Sequence, residues 1–250
     1  MSARSMTAAD LLRPAGTLAV GGYDVNLTPE IAGWEYSGLK VITLGSATPS
    51  ISFETGEFEM VVLPLSGSCT VDCDGETYEL TGRESVFERV TDFAYVPRDA
   101  EVAITGSGEF ALCMAKATRR LTPKYGPVEG VQVETRGAGP ATRQVTNFLS
   151  PSVWDHADRL MCVELLTPDG NWSSYPPHKH DESPECEVNN EEIYYFRRMN
   201  FLKWRAETQR HALNKSRPSQ KKLRQISTDL ELATHDLQFI AEHNLRLVVP

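Results

Sequence analysis

Histidine is missing from the first 155 residues of this 250-residue chain. That absence excludes an imidazole-held metal from the whole stretch. Cysteine is scarce, five residues with no C-x-x-C pair. Cys69 and Cys73 sit four apart on strand-like text, where buried thiols are expected. No apolar run reaches the length of a membrane span. The opening M-S-A-R-S-M-T-A-A-D-L-L-R lacks the apolar core of a signal peptide. A reducing, cytoplasmic, non-membrane protein is expected.

Basic charge is short in the body of the chain. Residues 1–196 carry 14 Lys and Arg against 29 Asp and Glu, while residues 197–250 carry 11 against 5. An acidic body disfavours nucleic acid as a partner, and a basic helical face at the end reads as solvated surface.

From Leu39 the text breaks into short alternating runs: K-V-I-T-L, F-E-M-V-V-L-P-L, S-C-T-V-D-C, E-T-Y-E-L, D-F-A-Y-V-P, E-V-A-I-T and E-F-A-L-C-M-A. Asp74-Gly75 between two of them predicts a hairpin. Many short strands without a helical period predict an antiparallel sandwich or barrel ending near Ala117. Residues 118–130, rich in Pro, Gly and charge, read as a linker. A second strand-rich block follows from residue 131: V-Q-V-E-T, R-Q-V-T-N-F and R-L-M-C-V-E-L-L-T, with a turn at Asp169-Gly170.

The chemistry concentrates in N-W-S-S-Y-P-P-H-K-H-D-E-S-P-E-C-E-V-N-N-E-E-I-Y-Y-F-R, residues 171–197. On an extended backbone His178 and His180 point to one face and Lys179 to the other. Glu192 opens the aromatic strand that follows. Two imidazoles and a carboxylate form a partial shell for a divalent metal; the alternative is a solvated His-Lys-His loop. Tyr194 shares the parity of Glu192. It is either a donor to a substrate oxygen or a core tyrosine with its hydroxyl satisfied. Arg143 is either a bidentate partner for a substrate carboxylate or half of a surface ion pair.

The runs R-G-A-G-P-A-T-R-Q-V (136–145), A-D-R-L (157–160), T-P-D-G-N-W-S-S-Y-P-P-H-K-H-D-E (167–182) and E-E-I-Y-Y-F-R (191–197) resemble the 5-deoxy-glucuronate isomerase family of inositol catabolism. Upstream pieces agree, among them P-E-I-A-G-W-E-Y (29–36) and L-T-G-R (80–83). The likeness covers about residues 10–197. It implies an all-β bicupin, two jelly-roll barrels in one chain. The expected parts are an N-terminal barrel without metal ligands (1–117), the linker (118–130) and a partial C-terminal cupin (131–197). It also implies an isomerase that converts 5-deoxy-D-glucuronate to 2-deoxy-5-keto-D-gluconate. The small-molecule partner would then be a sugar acid, and the resemblance leaves room for a homo-oligomer.

By the same resemblance His178, His180 and Glu192 hold the metal, zinc or manganese. Glu185 is the rival carboxylate, with Asp181 and Glu182 as candidate bases. A metal-dependent oxygenase and a non-catalytic uronate-binding module remain alternatives.

The family's remaining barrel strands, with their glycine-and-proline turn and further histidine, have no counterpart in residues 198–250. The spacing of Leu223, Ile226, Leu230, Ala233, Leu237 and Ile240 predicts an amphipathic helix there. The second barrel is therefore expected to be incomplete, with a helical tail. A reading frame interrupted near codon 197 is the simplest account. It implies unpaired strand edges and weak isomerase activity or none.

Overall fold

The computed structural model describes residues 11–173, 175, 180, 189–198 and 242–249. Among them no helix is long and apolar enough to cross a membrane. The first sheet is antiparallel and runs β1 (Val25–Leu27), β2 (Ser37–Leu44), β7 (Glu101–Lys116), β4 (Phe58–Cys73), β6 (Phe93–Val96) and β8 (Lys124–Gly126). Off this path β3 (Ser50–Glu54) pairs with β7, and β5 (Glu76–Arg83) pairs with β4. Asp74 (φ 52°) and Gly75 (φ 86°) make the β4–β5 turn with both residues left-handed, as a two-residue hairpin requires.

The two sixteen-residue strands β4 and β7 pair along almost their whole length and form the middle of this sheet. They bend where Gly67 (φ 79°) lies opposite Gly108 (φ 132°). A Cβ at either glycine would overlap a carbonyl of the partner strand, Ser107 O or Ser66 O. No L side chain fits that close approach.

The run M-V-V-L-P-L is continuously apolar because its strand is covered on both faces. Met60 and Val62 join Ile42, Val71, Ile104, Phe110 and Leu112 in one buried cluster on one face of the sheet. Val61, Leu63 and Leu65 face the other way, into a core shared with Phe148, Leu160, Cys162 and Ile193. The small residues Ala111, Cys113 and Ala115 of β7 lie on that second face and let the layers approach. Cys69, Cys73, Cys113 and Cys162 are buried free thiols, and burial pushes the first two up to about 12.

The second sheet is also antiparallel, in the order β12 (Glu191–Arg198), β13 (Glu242–Val249), β11 (Met161–Thr167), β10 (Arg143–Leu149) and β9 (Gln132–Arg136). Buried carboxylates fasten it to the first. Glu59 of β4 is fully buried and takes the backbone N–H groups of Asp158, Arg159 and Leu160 at 2.8, 2.6 and 2.8 Å, plus the Tyr95 hydroxyl at 2.7 Å. Burial, with that carboxylate alongside, raises the Tyr95 phenol far above its ordinary value. Arg83 grips Glu164 of β11 through two hydrogen bonds of 2.6 and 3.1 Å.

Two expectations change. The segment read as a linker is structured: Lys124–Gly126 is the edge strand β8, paired with β6. Asp158 ties down its start, accepting from Thr118 N and Oγ1 and from Arg119 N and Nε.

Burial raises the Asp158 carboxyl, but the Arg119 and Thr118 donors outweigh it and hold the group well below the usual aspartate range. A depressed folded value stabilises the fold fully above the unfolded pKa, near ~4, and the contribution fades as pH falls from there toward the folded value. Asp158→Asn is therefore expected to lower the urea midpoint at pH 6, with a gap from wild type that narrows by pH 3.

The helical tail is corrected at its end. Glu242–Val249 is a strand, paired with β11 on one side and β12 on the other. The residues from 199 to 241, including the Leu223–Ile240 stripe, lie outside the described residues. The physical reason is in the text itself: N-L-R-L-V-V alternates apolar residues at period two and ends on two β-branched valines, a strand pattern. Two strands with open edges offer it a full ladder of backbone partners, so those edges are not left unpaired as expected.

Candidate functional site

Strand β12 carries the site because its two faces do different work. Ile193 is buried in the core between the sheets, and Tyr195 packs against it. The Tyr195 hydroxyl (3.3 Å) and the Arg197 guanidinium both donate to Glu109 of β7. Burial first, then the Glu109 charge, pushes the Tyr195 phenol up to about 12. Glu191 accepts from the N–H groups of Glu35, Tyr36 and Ser37 at 2.6, 2.9 and 2.7 Å, and from Ser37 Oγ at 3.0 Å. These odd-numbered residues dock the strand on the first sheet. Sequence reasoning did not single out Glu191. Its only signal is parity, since in an E-E pair the two carboxylates must face opposite ways.

Glu192, Tyr194 and Phe196 occupy the opposite face. Glu192 Oε1 lies 4.0 Å from His180 Nε2, with both side chains largely shielded from water (11% and 18% exposed). Tyr194 donates to Glu192 Oε2 at 3.4 Å and stacks on Phe196 with ring centroids 5.9 Å apart. Asn190 N donates to His180 O at 2.7 Å, which pins the histidine's backbone beside the start of β12.

His178, Lys179, Asp181, Glu182 and Glu185 lie outside the described residues. Among the described residues no group of three metal-binding side chains forms. His180 and Glu192 nevertheless fit a divalent cation. An imidazole and a carboxylate are a suitable donor pair for zinc or manganese. Tetrahedral donors at about 2.0–2.2 Å from one ion stand roughly 3.5 Å apart, so the 4.0 Å pair would have to close by about half an ångström to share one.

Arg143 opens β10. Its register partner on β9 is Arg136, and its Nη1 donates to Ala141 O at 3.1 Å. It lies on the same sheet face as Glu192 and Tyr194. Successive ladders place it six positions along the strands and three strands across from Glu192. The structure thus joins His180, Glu192 and Tyr194 and sets Arg143 at the far end of their face. The two ends are tied through the loop before β10: Trp172 N donates to Pro140 O at 2.7 Å and Asn171 Nδ2 to Thr142 O at 2.8 Å. The start of the His-bearing run is therefore anchored on the glycine-rich R-G-A-G-P-A-T-R run.

The sequence profile of the KduI/IolB family matches residues 11–201. The chain is 38% identical over 190 residues to 5-deoxy-glucuronate isomerase of Geobacillus kaustophilus, covering 74% of this chain and 68% of that protein. It is 39% identical over 166 residues to the enzyme of the same name from Bacillus subtilis strain 168, covering 64% and 60%. The chain thus spans about two thirds of the length of these relatives. The fold is similar to that of an IolB-like protein from Salmonella typhimurium LT2, with a TM-score of 0.70 at 25% identity over 93% of this chain and 90% of that one. The profile covers both sheets up to the end of β12, so the docking carboxylates and the His180–Glu192 pair all fall inside it, and the chain belongs to the KduI/IolB family.

Proposed function

We propose that this chain is a 5-deoxy-glucuronate isomerase of bicupin architecture, with its second barrel incomplete, converting 5-deoxy-D-glucuronate to 2-deoxy-5-keto-D-gluconate in inositol catabolism. The observation that carries the reading is the shielded His180–Glu192 pair on a strand whose other face is fixed to the first sheet, in a chain whose relatives bear that enzyme name.

The reaction moves hydrogen between adjacent carbons without net oxidation. A proton leaves the carbon bearing the hydroxyl, and one is delivered to the former aldehyde carbon. His180 and Glu192, with His178, would hold zinc or manganese. Bound there, the ion supplies a Lewis acid for the substrate's carbonyl and hydroxyl oxygens.

The rest falls to side chains. Glu191 fixes the strand, so Glu192 is presented from a rigid element. The Tyr194 hydroxyl, 3.4 Å from Glu192, can turn to donate to a substrate oxygen. Arg143 stands about 20 Å along the strands from Glu192, at the far end of the same face, beyond the span of a six-carbon acid held at the His180–Glu192 pair.

The test is conversion of 5-deoxy-glucuronate by the full chain in the presence of manganese or zinc, followed by product formation and oxygen uptake. Turnover to the keto acid without oxygen consumption is expected, at a rate below that of the longer relatives. Metal-dependent oxygen uptake would replace this reading with the oxygenase. Uronate binding without turnover would replace it with the binding module.

A further inference from the structure

We propose that Arg143 and Thr167 form a carboxylate subsite of their own, apart from the His180–Glu192 pair, at the far end of the same sheet face. The inference rests on the reading above that the ligand is a sugar acid. Its observation is two orphaned polar atoms. Arg143 Nε and Thr167 Oγ1 are both buried and neither has a hydrogen-bond partner. Thr167 is 2% exposed, so its hydroxyl is shut away from water.

The ladder between β10 and β11 ends at Gln144 and Leu166. One step beyond that last pair lie Arg143 and Thr167, whose parity puts both side chains on the same face of the sheet. A buried N–H and a buried hydroxyl, both left unmade at one end of the same face, are costly to keep without a ligand that accepts from them.

The surroundings fix the pair in place. Arg143 Nη1 donates to Ala141 O at 3.1 Å, which holds one arm of the guanidinium against the loop before β10. Gly137 (φ 81°) lets the loop fold against it. A Cβ there would overlap Ala141 O and stand 2.9 Å from Nη1. The backbone carbonyls of Pro140 and Thr142 are taken by Trp172 and Asn171, so the loop is held from outside as well. Along the same two strands Val145 and Leu165 continue this face as buried apolar residues. A carboxylate suits this site: one oxygen accepts from Nε–H and the other from the threonine hydroxyl, in dry surroundings where charge-assisted hydrogen bonds are strong.

The test is calorimetric titration of the full chain, treated with chelator, against D-glucuronate, D-glucose and inorganic phosphate. Glucuronate is expected to bind and glucose to show no binding. Arg143→Lys, which removes Nε, and Thr167→Val, which removes only the hydroxyl, should each weaken glucuronate by about tenfold or more. Thr167→Ser should restore it.

Thr167→Val should leave the melting temperature unchanged or raise it, because it deletes an unsatisfied hydroxyl. A purely structural threonine would not behave so. Equal glucuronate affinity in wild type and both variants, phosphate binding tighter than glucuronate, or no glucuronate binding by the unaltered chain would overturn the subsite. Loss of metal binding with uronate binding intact would sink the isomerase reading and leave the subsite standing.

Discussion

Alanine at position 59 is expected to lower the unfolding free energy by about 4 kcal/mol, a large share of the net stability of a domain. Glu59 is fully buried, and its carboxylate satisfies three consecutive backbone N–H groups, those of Asp158, Arg159 and Leu160, and one phenol. Truncation leaves four donors facing a cavity, each without a partner or access to bulk water. The loss should fall on unfolding cooperativity as well as on the midpoint, because this carboxylate joins the two sheets. Urea denaturation followed by tryptophan fluorescence checks it: Trp154 packs against Phe93 at 4.9 Å between ring centroids and reports on that junction. Glu59→Gln keeps the size and one acceptor oxygen and should retain part of the lost stability. A Glu59→Ala midpoint within error of wild type would show that the carboxylate is no anchor.

His180→Ala is expected to weaken zinc or manganese binding by on the order of a hundredfold or more. The imidazole faces Glu192 across 4.0 Å, and in the proposed site each of the two would supply one donor to the metal. Glu192→Gln should have a similar effect, because it removes the negative charge and keeps the shape. Competition against a chromophoric chelator measures both. Neither change should alter the stability of the metal-free protein by more than about 1 kcal/mol, since the pair supports no core packing. Unchanged metal content in both variants would move the metal away from β12, and Glu185 would then be the carboxylate to replace.

The sequence determined by itself what backbone periodicity determines. The two-residue period of a strand puts Val61, Leu63 and Leu65 on one face of β4 and Met60 and Val62 on the other, although the run itself is apolar throughout. The Asp-Gly pair at 74–75 set a hairpin, and the parity of E-E-I-Y-Y-F-R put Glu192 and Tyr194 together. The family could be read from the motif runs, because a long specific string needs no contact map. These features are local, and a two-residue period is fixed by the pleat of a strand.

Only the tertiary structure decided the rest. Glu59 reaches amides 99 to 101 residues away, and Glu191 reaches back 154 to 156 residues to the segment 35–37. No local pattern says which glutamate will be buried. In sequence Glu59 is one acidic residue in F-E-T-G-E-F-E, and its environment is made by another part of the chain. The same holds for Thr167, whose hydroxyl matters only because Arg143 lies at the same end of the same sheet face. It holds again for N-L-R-L-V-V, whose strand propensity was overshadowed by the helical spacing before it and became a strand where two open edges supplied its hydrogen bonds. A strand edge is a long-range partner, and its availability is a property of the folded sheet.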